Sequence, residues 1–390
     1  MSRGLRIHLL AGFLVMVVVD VSHAATVDVV GESEAVRYVA APGERNDLNF
    51  DHIEDSWPSA FLVSDPGATV TAGSGCISVD VHRAACIARS GSMYHLRAEL
   101  RDGDDVLRPA GFQIVRANGG AGSDRLLGGT WADYLDGGGG MDELRGGEGD
   151  DTLLDGDRDD ACPGESPDAD ILDGGAGRDW VSYKQRAESV TVNLSDSTTD
   201  GAAGERDVLL SIEKVHGGRG DDRLTGDDSP NAFDDEGGDN QLFGKAGDDF
   251  LRGARSGPVD CGSGADDVRG VTGKSLVARN CETLLRASGD ADFRVHAYPR
   301  RTAGGMTLAM ECASIDGEPI VCSGRVRIRS RSRTLARGAI PPGVGRRTAR
   351  LALSAAGRRS LARGTVVATV ELRGTGVPDM AWRITLAPRA

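Results

Sequence analysis

The residues best suited to chemistry in this sequence are aspartates that recur every nine positions among glycines. Residues 119–154 contain four gapless blocks of nine, each with glycines at positions 1 and 2, an aspartate at position 6 and a leucine at position 8. Glycine tolerates the positive φ angles of tight turns, and the last three residues of a block suit a short strand with one inward side chain. The pattern predicts a parallel β-roll whose full turn takes two blocks.

With two blocks per turn, position-6 side chains on one edge of the roll recur in every second block. Neighbouring turns would lie about 4.8 Å apart, so paired carboxylates would repel each other. Calcium removes that repulsion, because it accepts oxygen ligands from carboxylates and backbone carbonyls; magnesium needs a tighter octahedron. We therefore predict that calcium binding and folding are one event. The predicted pairs are Asp124 with Asp142, Asp133 with Asp151, Asp142 with Asp160, Asp222 with Asn240, Asn231 with Asp249, and Asp249 with Asp267.

The blocks continue beyond residue 154, but less regularly. Two degenerate blocks at 155–173 precede a complete one at 174–182, residues 183–216 break the pattern, and 217–252 restore it before a last degenerate turn. A flexible, solvated glycine–aspartate tract is the alternative, but it predicts no fixed phase among Gly, Asp and Leu. Unfilled sites stay open for 155–173 and 226–243, because asparagine supplies less charge. The predicted metal ligands are Asp124, Asp133, Asp142, Asp151, Asp160, Asp170, Asp179, Asp222, Asn240, Asp249 and Asp267.

The repeat resembles the haemolysin-type calcium-binding (RTX) family over roughly residues 100–270. The stretch 179–217, which contains Val190-Thr-Val-Asn-Leu194, also resembles the spacer found between such arrays. The resemblance implies a parallel β-roll with calcium held between loops. The chain's leader, its Arg/Ala/Gly-rich composition and its cysteine-bearing flanks resemble secreted actinobacterial members. The family's position-6 ligand corresponds here to Asp124, Asp133, Asp142, Asp151, Asp179, Asp222 and Asp249.

The net charge of −14 conceals a strong asymmetry along the chain. Residues 290–390 carry 18 Arg against 7 Asp plus Glu, so the remainder is close to −25. An acidic array of this size repels itself unless cations neutralise it. The 55 glycines and 4% aromatic residues suit a repeat fold with a thin aliphatic core.

Residues 1–24 are typical of a secretory signal peptide. Arg3 and Arg6 precede an apolar run at 9–19, and 22–24 resemble a cleavage site. No later stretch is apolar and long enough to cross a membrane, so we expect a secreted, extracellular protein. Export favours disulfides, and proximity in sequence suggests Cys76 with Cys86, Cys261 with Cys281, and Cys312 with Cys322, leaving Cys162 over.

The fold class predicted is all-β: a calcium-loaded parallel β-roll between a β-rich N-terminal module and a C-terminal antiparallel β-domain.

The C-terminal domain has a strand-like run in which every second residue is an arginine, which places these side chains on one face. A short helix is suggested near 354–363. The simplest interpretation is that this face is the solvent-exposed side of a strand. The functional interpretation is that it binds an anionic cell-envelope polymer or the acidic roll of the same protein. Export and the few stacking aromatic residues argue against nucleic acid as a partner. The arginines are Arg325, Arg327, Arg329, Arg331 and Arg333. The predicted segments are 1–24 signal peptide, 25–117 N-terminal module, 118–182 first array, 183–216 spacer, 217–285 second array and 290–390 basic, sandwich-like domain.

No enzyme is predicted. The sequence contains neither H-E-x-x-H nor G-x-S-x-G, and His52 and His82 are interpreted as surface residues. We therefore expect a secreted calcium-binding protein with a structural or interaction role at or outside the cell envelope. The alternatives are an exported hydrolase with an unrecognised site in 25–117, and a cell-surface adhesin.

Overall fold

The fold was obtained as a computed structural model, and it is nearly all β-structure. No helix in the described part of the chain is long and apolar enough to cross a membrane. The predicted signal peptide lies mostly outside the described residues, as does Cys162. The described residues are 8–10, 13–15, 24–31, 35–53, 60–87, 95–110, 112, 114–156, 168–196, 200–235, 237–253, 257–269, 277–279, 281, 283–288, 291–296, 300–302, 305–314, 322–331, 333–343, 345–362, 366–375 and 377–386.

The N-terminal module combines antiparallel hairpins with the first turns of the roll. Strands β3 and β4 pair antiparallel, as do β5, β6, β9 and β8 in that order. However, β4 also pairs in parallel with β10, and β5 with β11. The roll therefore begins inside the module rather than at residue 118. The strands are β1 His8–Leu10, β2 Phe13–Val15, β3 Ala25–Val30, β4 Ala35–Val39, β5 Asp47–Ile53, β6 Ala60–Ser64, β7 Val70–Ala72, β8 Cys76–Ser78, β9 Arg83–Ile87, β10 His95–Glu99 and β11 Val106–Arg108.

Short parallel strands continue the roll through both arrays. The strands are β12 Ile114–Ala121, β13 Arg125–Leu127, β14 Tyr134–Gly139, β15 Glu143–Glu148, β16 Thr152–Leu154, β17 Ile171–Ala176, β18 Trp180–Ser182, β19 Val190–Asn193, β20 Gly201–Ala202, β21 Val208–Leu210, β22 Lys214–His216, β23 Arg223–Thr225, β24 Ala232–Asp234, β25 Gln241–Phe243, β26 Phe250–Arg252, β27 Pro258–Asp260, β28 Asp267–Arg269, β29 Val277–Arg279 and β30 Thr283–Ser288.

One side of the roll is an unbroken parallel ladder and the other is split. The unbroken side runs β4-β10-β12-β14-β16-β18-β22-β24-β26-β28-β30. The split side consists of β5-β11-β13-β15-β17-β21 and, separately, β19-β23-β25-β27-β29. The spacer at 183–216 thus interrupts only one side of the roll.

The strand register confirms the two-block turn and locates its exceptions. Arg125 pairs with Glu143 and Tyr134 with Thr152, in both cases the equivalent position two blocks further along. Glu143, however, pairs with Ile171, well beyond two blocks, because the loop between β16 and β17 carries an insertion. Phe250 pairs with Asp267, just short of two blocks, because the loop between β26 and β27 is one residue shorter.

The core of the roll is a ladder of single side chains. In the regular blocks the position-8 residue of the strand points inward and stacks on the equivalent residue of the next turn. These residues are at most 5% exposed, so each buries almost its whole apolar side chain. They include Leu107, Leu126, Leu144, Leu172 and Leu209 on the split side, and Leu135, Leu153, Val181, Val215, Phe233, Leu251 and Val268 on the unbroken side.

The C-terminal strands form an antiparallel sheet that joins the end of the roll at β30, in the order β30-β31-β33-β36-β35-β34-β37-β38, with β32 also beside β33. The predicted short helix is confirmed: Ser354 Oγ accepts a hydrogen bond from Gly357 N at 2.9 Å and caps it. The sandwich-like layering stays a prediction. The elements are β31 Ala291–His296, β32 Arg300–Thr302, β33 Gly305–Ser314, β34 Cys322–Ser330, β35 Arg333–Gly343, β36 Gly345–Leu353, α1 Ala355–Ala362, β37 Val366–Thr375 and β38 Val377–Leu386.

Two of the three predicted disulfides are confirmed. Cys76 is bonded to Cys86 within the N-terminal module, and Cys261 to Cys281 near the end of the roll. The side chains of the third predicted pair, Cys312 with Cys322, lie outside the described part of the structure.

Candidate metal centres

The position-6 aspartates form hydrogen-bonded ladders along the edges of the roll. On the first edge, which precedes the strands of the split side, Oδ1 of Asp142 accepts a hydrogen bond from the backbone N–H of Asp124 at 2.8 Å. Oδ1 of Asp124 accepts from Asp105 N–H in the same way, and Oδ1 of Asp170 from Asp142 N–H, both at 2.8 Å. Each carboxylate therefore bridges its own turn to the previous one. The first edge reads Asp105, Asp124, Asp142, Asp170 and Asp207.

The second edge, which precedes the strands of the unbroken side, repeats this arrangement. Asp151 Oδ1 accepts from Asp133 N–H at 2.8 Å, and Asp179 Oδ1 accepts from Asp151 N–H at 2.7 Å. In the second array, Asp249 Oδ1 accepts from Asn231 N–H at 2.9 Å. Across the restarted part of the first edge, the Asn240 amide oxygen accepts from Asp222 N–H at 2.9 Å. The three predicted pairs Asp124–Asp142, Asp133–Asp151 and Asn231–Asp249 are thus brought together, as is Asp222–Asn240.

The second carboxylate oxygen points into a space left by glycine. A Cβ placed on Gly119, at position 1 of its block, would lie 2.2 Å from Asp124 Oδ2 and 2.6 Å from the Gly137 carbonyl oxygen of the next turn. Gly146 is in the same position relative to Asp151 Oδ2 (2.2 Å) and the Gly174 carbonyl oxygen (2.6 Å). The position-1 glycine is therefore required by space, since any side chain would collide with these oxygens.

These inward oxygens are buried and have no hydrogen-bond donor within the described residues. The ladder atoms in this condition include Oδ2 of Asp105, Asp124, Asp142, Asp151, Asp179 and Asp249. A buried carboxylate oxygen without a partner is strongly unfavourable, so the ladders need a positive charge or a proton. A cation beside each orphaned oxygen would also reach a backbone carbonyl of the next turn.

Burial raises the pKa of the ladder carboxyls. The pKa of Asp133 rises to about 6 and those of Asp124, Asp142 and Asp151 to about 7, because the charged form loses its hydration. Backbone N–H donors lower these pKa values in part, and neighbouring carboxylates raise them further for Asp124 and Asp142. The pKa of Asp170 reaches about 10, first from burial and then from the charge of Asp155.

At two positions the structure places a different aspartate on the ladder from the one predicted. The prediction that Asp142 pairs with Asp160 is wrong: the insertion between β16 and β17 places Asp170 on that rung, and Asp160 itself lies outside the described residues. The pairing of Asp249 with Asp267 is also wrong. Asp266 Oδ1 accepts from Asp249 N–H at 3.0 Å, whereas Asp267 begins strand β28 and pairs with Arg269 at 2.9 Å. The one-residue deletion between β26 and β27 shifts the phase.

The structure adds ladder members that were absent from the predicted ligand set. Asp105 follows Gly103 in the repeat-like stretch 101–107, so its phase was visible in the sequence. Asn231 occupies position 6 of its block in the same way. Asp207 and Glu213 lie in the spacer, where no nine-residue phase identifies them; Glu213 Oε2 accepts from Asp179 N–H at 2.9 Å.

A buried cluster of charges fills the seam where the split side is interrupted. Carboxylate oxygens of Asp155, Glu205 and Asp207 lie within 4.8 Å of one another. Arg186, whose side chain is 5% exposed, donates to Asp155 and, at 2.8 Å, to Glu205. The Tyr183 hydroxyl donates to Asp207 at 3.2 Å. A guanidinium group thus supplies positive charge at this rung.

The arginine-rich strand is shorter than predicted, but its cationic face is broader. Arg325, Arg327 and Arg329 share one face of β34. The prediction that all five arginines lie on one strand face is wrong, because Arg331 adopts a positive φ of 53° in the turn after β34 and Arg333 begins β35. Neighbouring strands add further arginines: Arg327 pairs with Arg337 of β35, Arg325 pairs with Arg373 of β37, and Arg350 of β36 lies beyond Ala339. We call Arg325, Arg327, Arg329, Arg337, Arg350 and Arg373 the basic face.

The donor set fits calcium. The ladders offer carboxylate and backbone carbonyl oxygens and no imidazole or thiolate within the described loops, which is the ligand chemistry of a hard divalent cation. Tightly spaced, glycine-lined oxygens suit the irregular coordination of calcium better than the octahedron of magnesium. Bound calcium would supply the missing charge beside each orphaned Oδ2.

Comparison with known proteins agrees with this geometry. A family model described as the RTX calcium-binding nonapeptide repeat (4 copies) matches residues 118–153, 166–182, 212–229 and 216–251. No curated protein matches the chain. The match says nothing of bacterial origin, so the resemblance to actinobacterial members stays a prediction. The matched segments coincide with the ladders described above, so the region 118–251 contains RTX calcium-binding nonapeptide repeats arranged as a β-roll.

Proposed function

We propose that this chain is a secreted, non-enzymatic protein whose roll folds only when calcium fills its edges, and whose role at or outside the cell envelope is structural or one of interaction. The observation that carries the proposal is the series of buried, unpartnered Oδ2 atoms along both edges. The two disulfides favour an extracytoplasmic location, because such bonds persist in oxidising compartments.

The proposed ligands are the ladder residues. Their carboxylates face the position-1 glycines, and the carbonyl of the next turn completes each oxygen pair, as at Gly119 and Gly146. Asp105, Asp207 and Asp266 join the set by the same hydrogen-bond pattern. The ligands inferred from the sequence that the ladders retain are Asp124, Asp133, Asp142, Asp151, Asp170, Asp179, Asp222, Asn240 and Asp249.

A far-UV circular dichroism titration of the full chain tests calcium-dependent folding. We expect calcium to increase the β-signal sharply at pH 8 and magnesium at the same concentration to do so far less. Equal spectra with calcium, with magnesium and with neither ion would contradict the proposal, because the carboxylate ladders would then be folding without a cation.

We further propose that the basic face binds an anionic polymer of the cell envelope. Its side chains project from one sheet, and Arg325, Arg327 and Arg373 are exposed. Glu371 is the acidic residue paired into this face, through Arg329 at 3.4 Å. Closely spaced cations on a rigid sheet favour a polyanion, because each added charge increases the attraction at low salt.

Retention on immobilised polyphosphate, with neutral dextran as the reference, tests this interaction. Arg325→Gln/Arg327→Gln/Arg373→Gln should elute at much lower salt than the wild-type protein. A matched variant removes three exposed arginines elsewhere, Arg206, Arg219 and Arg359, and should elute close to wild type. Equal losses in both triple variants would indicate a net-charge effect and would refute a specific face; this result would also count against the adhesin alternative.

The hydrolase alternative is tested separately. The calcium-loaded full chain would be screened against ester, peptide and glycan substrates. We expect no turnover above a heat-denatured sample; reproducible turnover that is lost on substitution within 25–117 would overturn the non-enzymatic assignment.

A further inference from the structure

One block of the second array departs from the nonapeptide pattern at positions 1, 2 and 6. Residues 235–243 carry Asp235 at position 1, where the regular blocks have glycine, and Asn240 at position 6, where they have aspartate. The block has thus lost one carboxylate from the ladder position and gained one at position 1. Position 2 is Glu236, where the regular blocks have glycine, and it lies outside the described residues.

The Asp235 carboxylate is buried in the loop edge of the roll. The residue is 2% exposed. Its Oδ1 accepts a hydrogen bond from Gly237 N–H at 3.2 Å, while Oδ2 is buried and has no hydrogen-bond donor. An ionised oxygen in such a place is strongly unfavourable unless a cation lies next to it.

Asp235 and Asp222 converge on the same glycine. A Cβ placed on Gly217 would lie 2.7 Å from Asp235 Oδ2 and 2.8 Å from Asp222 Oδ2. The Asn240 side chain is already engaged: its amide oxygen accepts from Asp222 N–H, and its amide nitrogen donates to the Gly237 carbonyl oxygen. Asn240 therefore orders the loop. Asp222 Oδ2 accepts a hydrogen bond from Gly218 N–H at 2.8 Å, whereas Asp235 Oδ2 has no donor among the described residues.

The equivalent place in the first array shows what Asp235 replaces. Over Gly119, the Asp124 Oδ2 meets the carbonyl oxygen of Gly137, the position-1 residue of the next turn. Over Gly217, Asp222 Oδ2 meets a side-chain oxygen of Asp235, which is likewise the position-1 residue of the next turn. In the second array, the charged carboxylate of Asp235 thus lies where the first array has the neutral carbonyl oxygen of Gly137.

We propose that Asp235 is a calcium ligand outside the nonapeptide pattern, which with Asp222 restores two carboxylates to a rung whose position-6 residue is Asn240. The inference rests on the proposed function, because it presumes that the rungs bind calcium. Asp155 holds the same block position in the first array, but there Arg186 provides the cation. Asp155 thus has an arginine as its counter-charge, whereas Asp235 Oδ2 has no hydrogen-bond partner among the described residues.

Calcium bound to the purified full chain, measured by elemental analysis after gel filtration at fixed free calcium, tests the inference. Asp235→Asn, which keeps the shape and removes the charge, should lose one calcium ion per chain at a free calcium concentration that saturates the wild type, with at least tenfold weaker binding at that rung. Asp239→Asn is the matched control: it removes the same charge from an exposed residue of the same block and should bind as much calcium as wild type.

A second variant guards against a folding defect. Asp235→Gly/Asn240→Asp restores glycine at position 1 and aspartate at position 6, and it should recover the full calcium content. Wild-type calcium content and affinity in Asp235→Asn would overturn the role of Asp235 while leaving the proposed function intact. A wild-type chain that binds no calcium would instead overturn both.

Discussion

Removing calcium should make the folding of the roll depend on pH in an unusual direction. Burial raises the pKa of Asp124, Asp142 and Asp151 to about 7 in the folded, calcium-free chain. A carboxyl whose pKa is raised on folding contributes its full stability below its ordinary pKa and loses it as pH rises through the folded value. The calcium-free roll should therefore be most stable in acid and should unfold as pH rises through about 7.

The magnitude is large relative to the stability of a domain. A carboxyl of ordinary pKa about 3.9 that titrates near 7 in the fold costs on the order of 4 kcal/mol when it ionises. Two such groups already offset much of the roughly 5–15 kcal/mol that holds a domain folded. The ladders contain several of them, so the calcium-free chain should have little folded roll at pH 8. Calcium reverses the effect by stabilising the ionised form.

The assay is far-UV circular dichroism in calcium-free buffers across pH 5 to 8.5, repeated with saturating calcium. We expect the β-signal of the calcium-free chain to fall as pH rises through about 7. The calcium-loaded chain should stay folded at pH 8, and in acid its β-signal should no longer exceed that of the calcium-free chain. A calcium-free chain that is equally folded at pH 8 and pH 5, or more folded at pH 8, would refute the assignment of the buried carboxyls as the source of calcium dependence.

Three further outcomes follow from individual side chains. Asp151→Asn should raise the β-content of the calcium-free chain at pH 8 yet raise the calcium concentration needed for half-folding, whereas Asp150→Asn, at an exposed neighbour, should do neither in circular dichroism titrations. Leu144→Ala should lower the unfolding free energy of the calcium-loaded chain by about 2–5 kcal/mol through the cavity it leaves, and Met141→Ala, which is 62% exposed, should change it little in the same urea titration. Arg186→Met should cost about 3–5 kcal/mol, since it leaves buried carboxylates without their partner; a stability equal to wild type would show that the seam does not need this cation.

The sequence was sufficient to predict the roll because the residues of each block determine the local conformation of that block. Glycine at position 1, aspartate at position 6 and leucine at position 8 recur in phase, and every one has a distinct spatial reason in the fold. The nine-residue count gave the wrong ligand where an insertion or a deletion changes the length of a loop. Asp170 takes the rung assigned to Asp160, and Asp266 the rung assigned to Asp267, because a nine-residue count cannot reveal where an inserted or deleted residue leaves the strands.

Other features depend on contacts between segments remote in sequence. Nothing near Asp207 repeats, so only the pairing of β17 with β21 brings it to the end of the first ladder. The basic face could also be predicted only in part. The alternation of arginines identified Arg325 and Arg327, but Arg373 lies beside them because of the pairing of β34 with β37, which the sequence pattern does not reveal.

The interruption at 183–216 separates the two arrays on one edge and connects them on the other. On the split side, the ladder ends at Asp207 beside Arg186, whose guanidinium takes over the role of a cation. On the unbroken side, Trp180 pairs with Lys214 and keeps the sheet continuous. There Glu213, one methylene longer than aspartate, still reaches the N–H of Asp179 at 2.9 Å although the loop before it has lost the nonapeptide geometry. On the second edge the carboxylate ladder therefore extends to Glu213, beyond which Asn231 Oδ1 accepts from Asp227 N–H instead of from Glu213. On the first edge Arg186 supplies a positive charge at the interruption, and the unbroken sheet joins the two arrays into one roll.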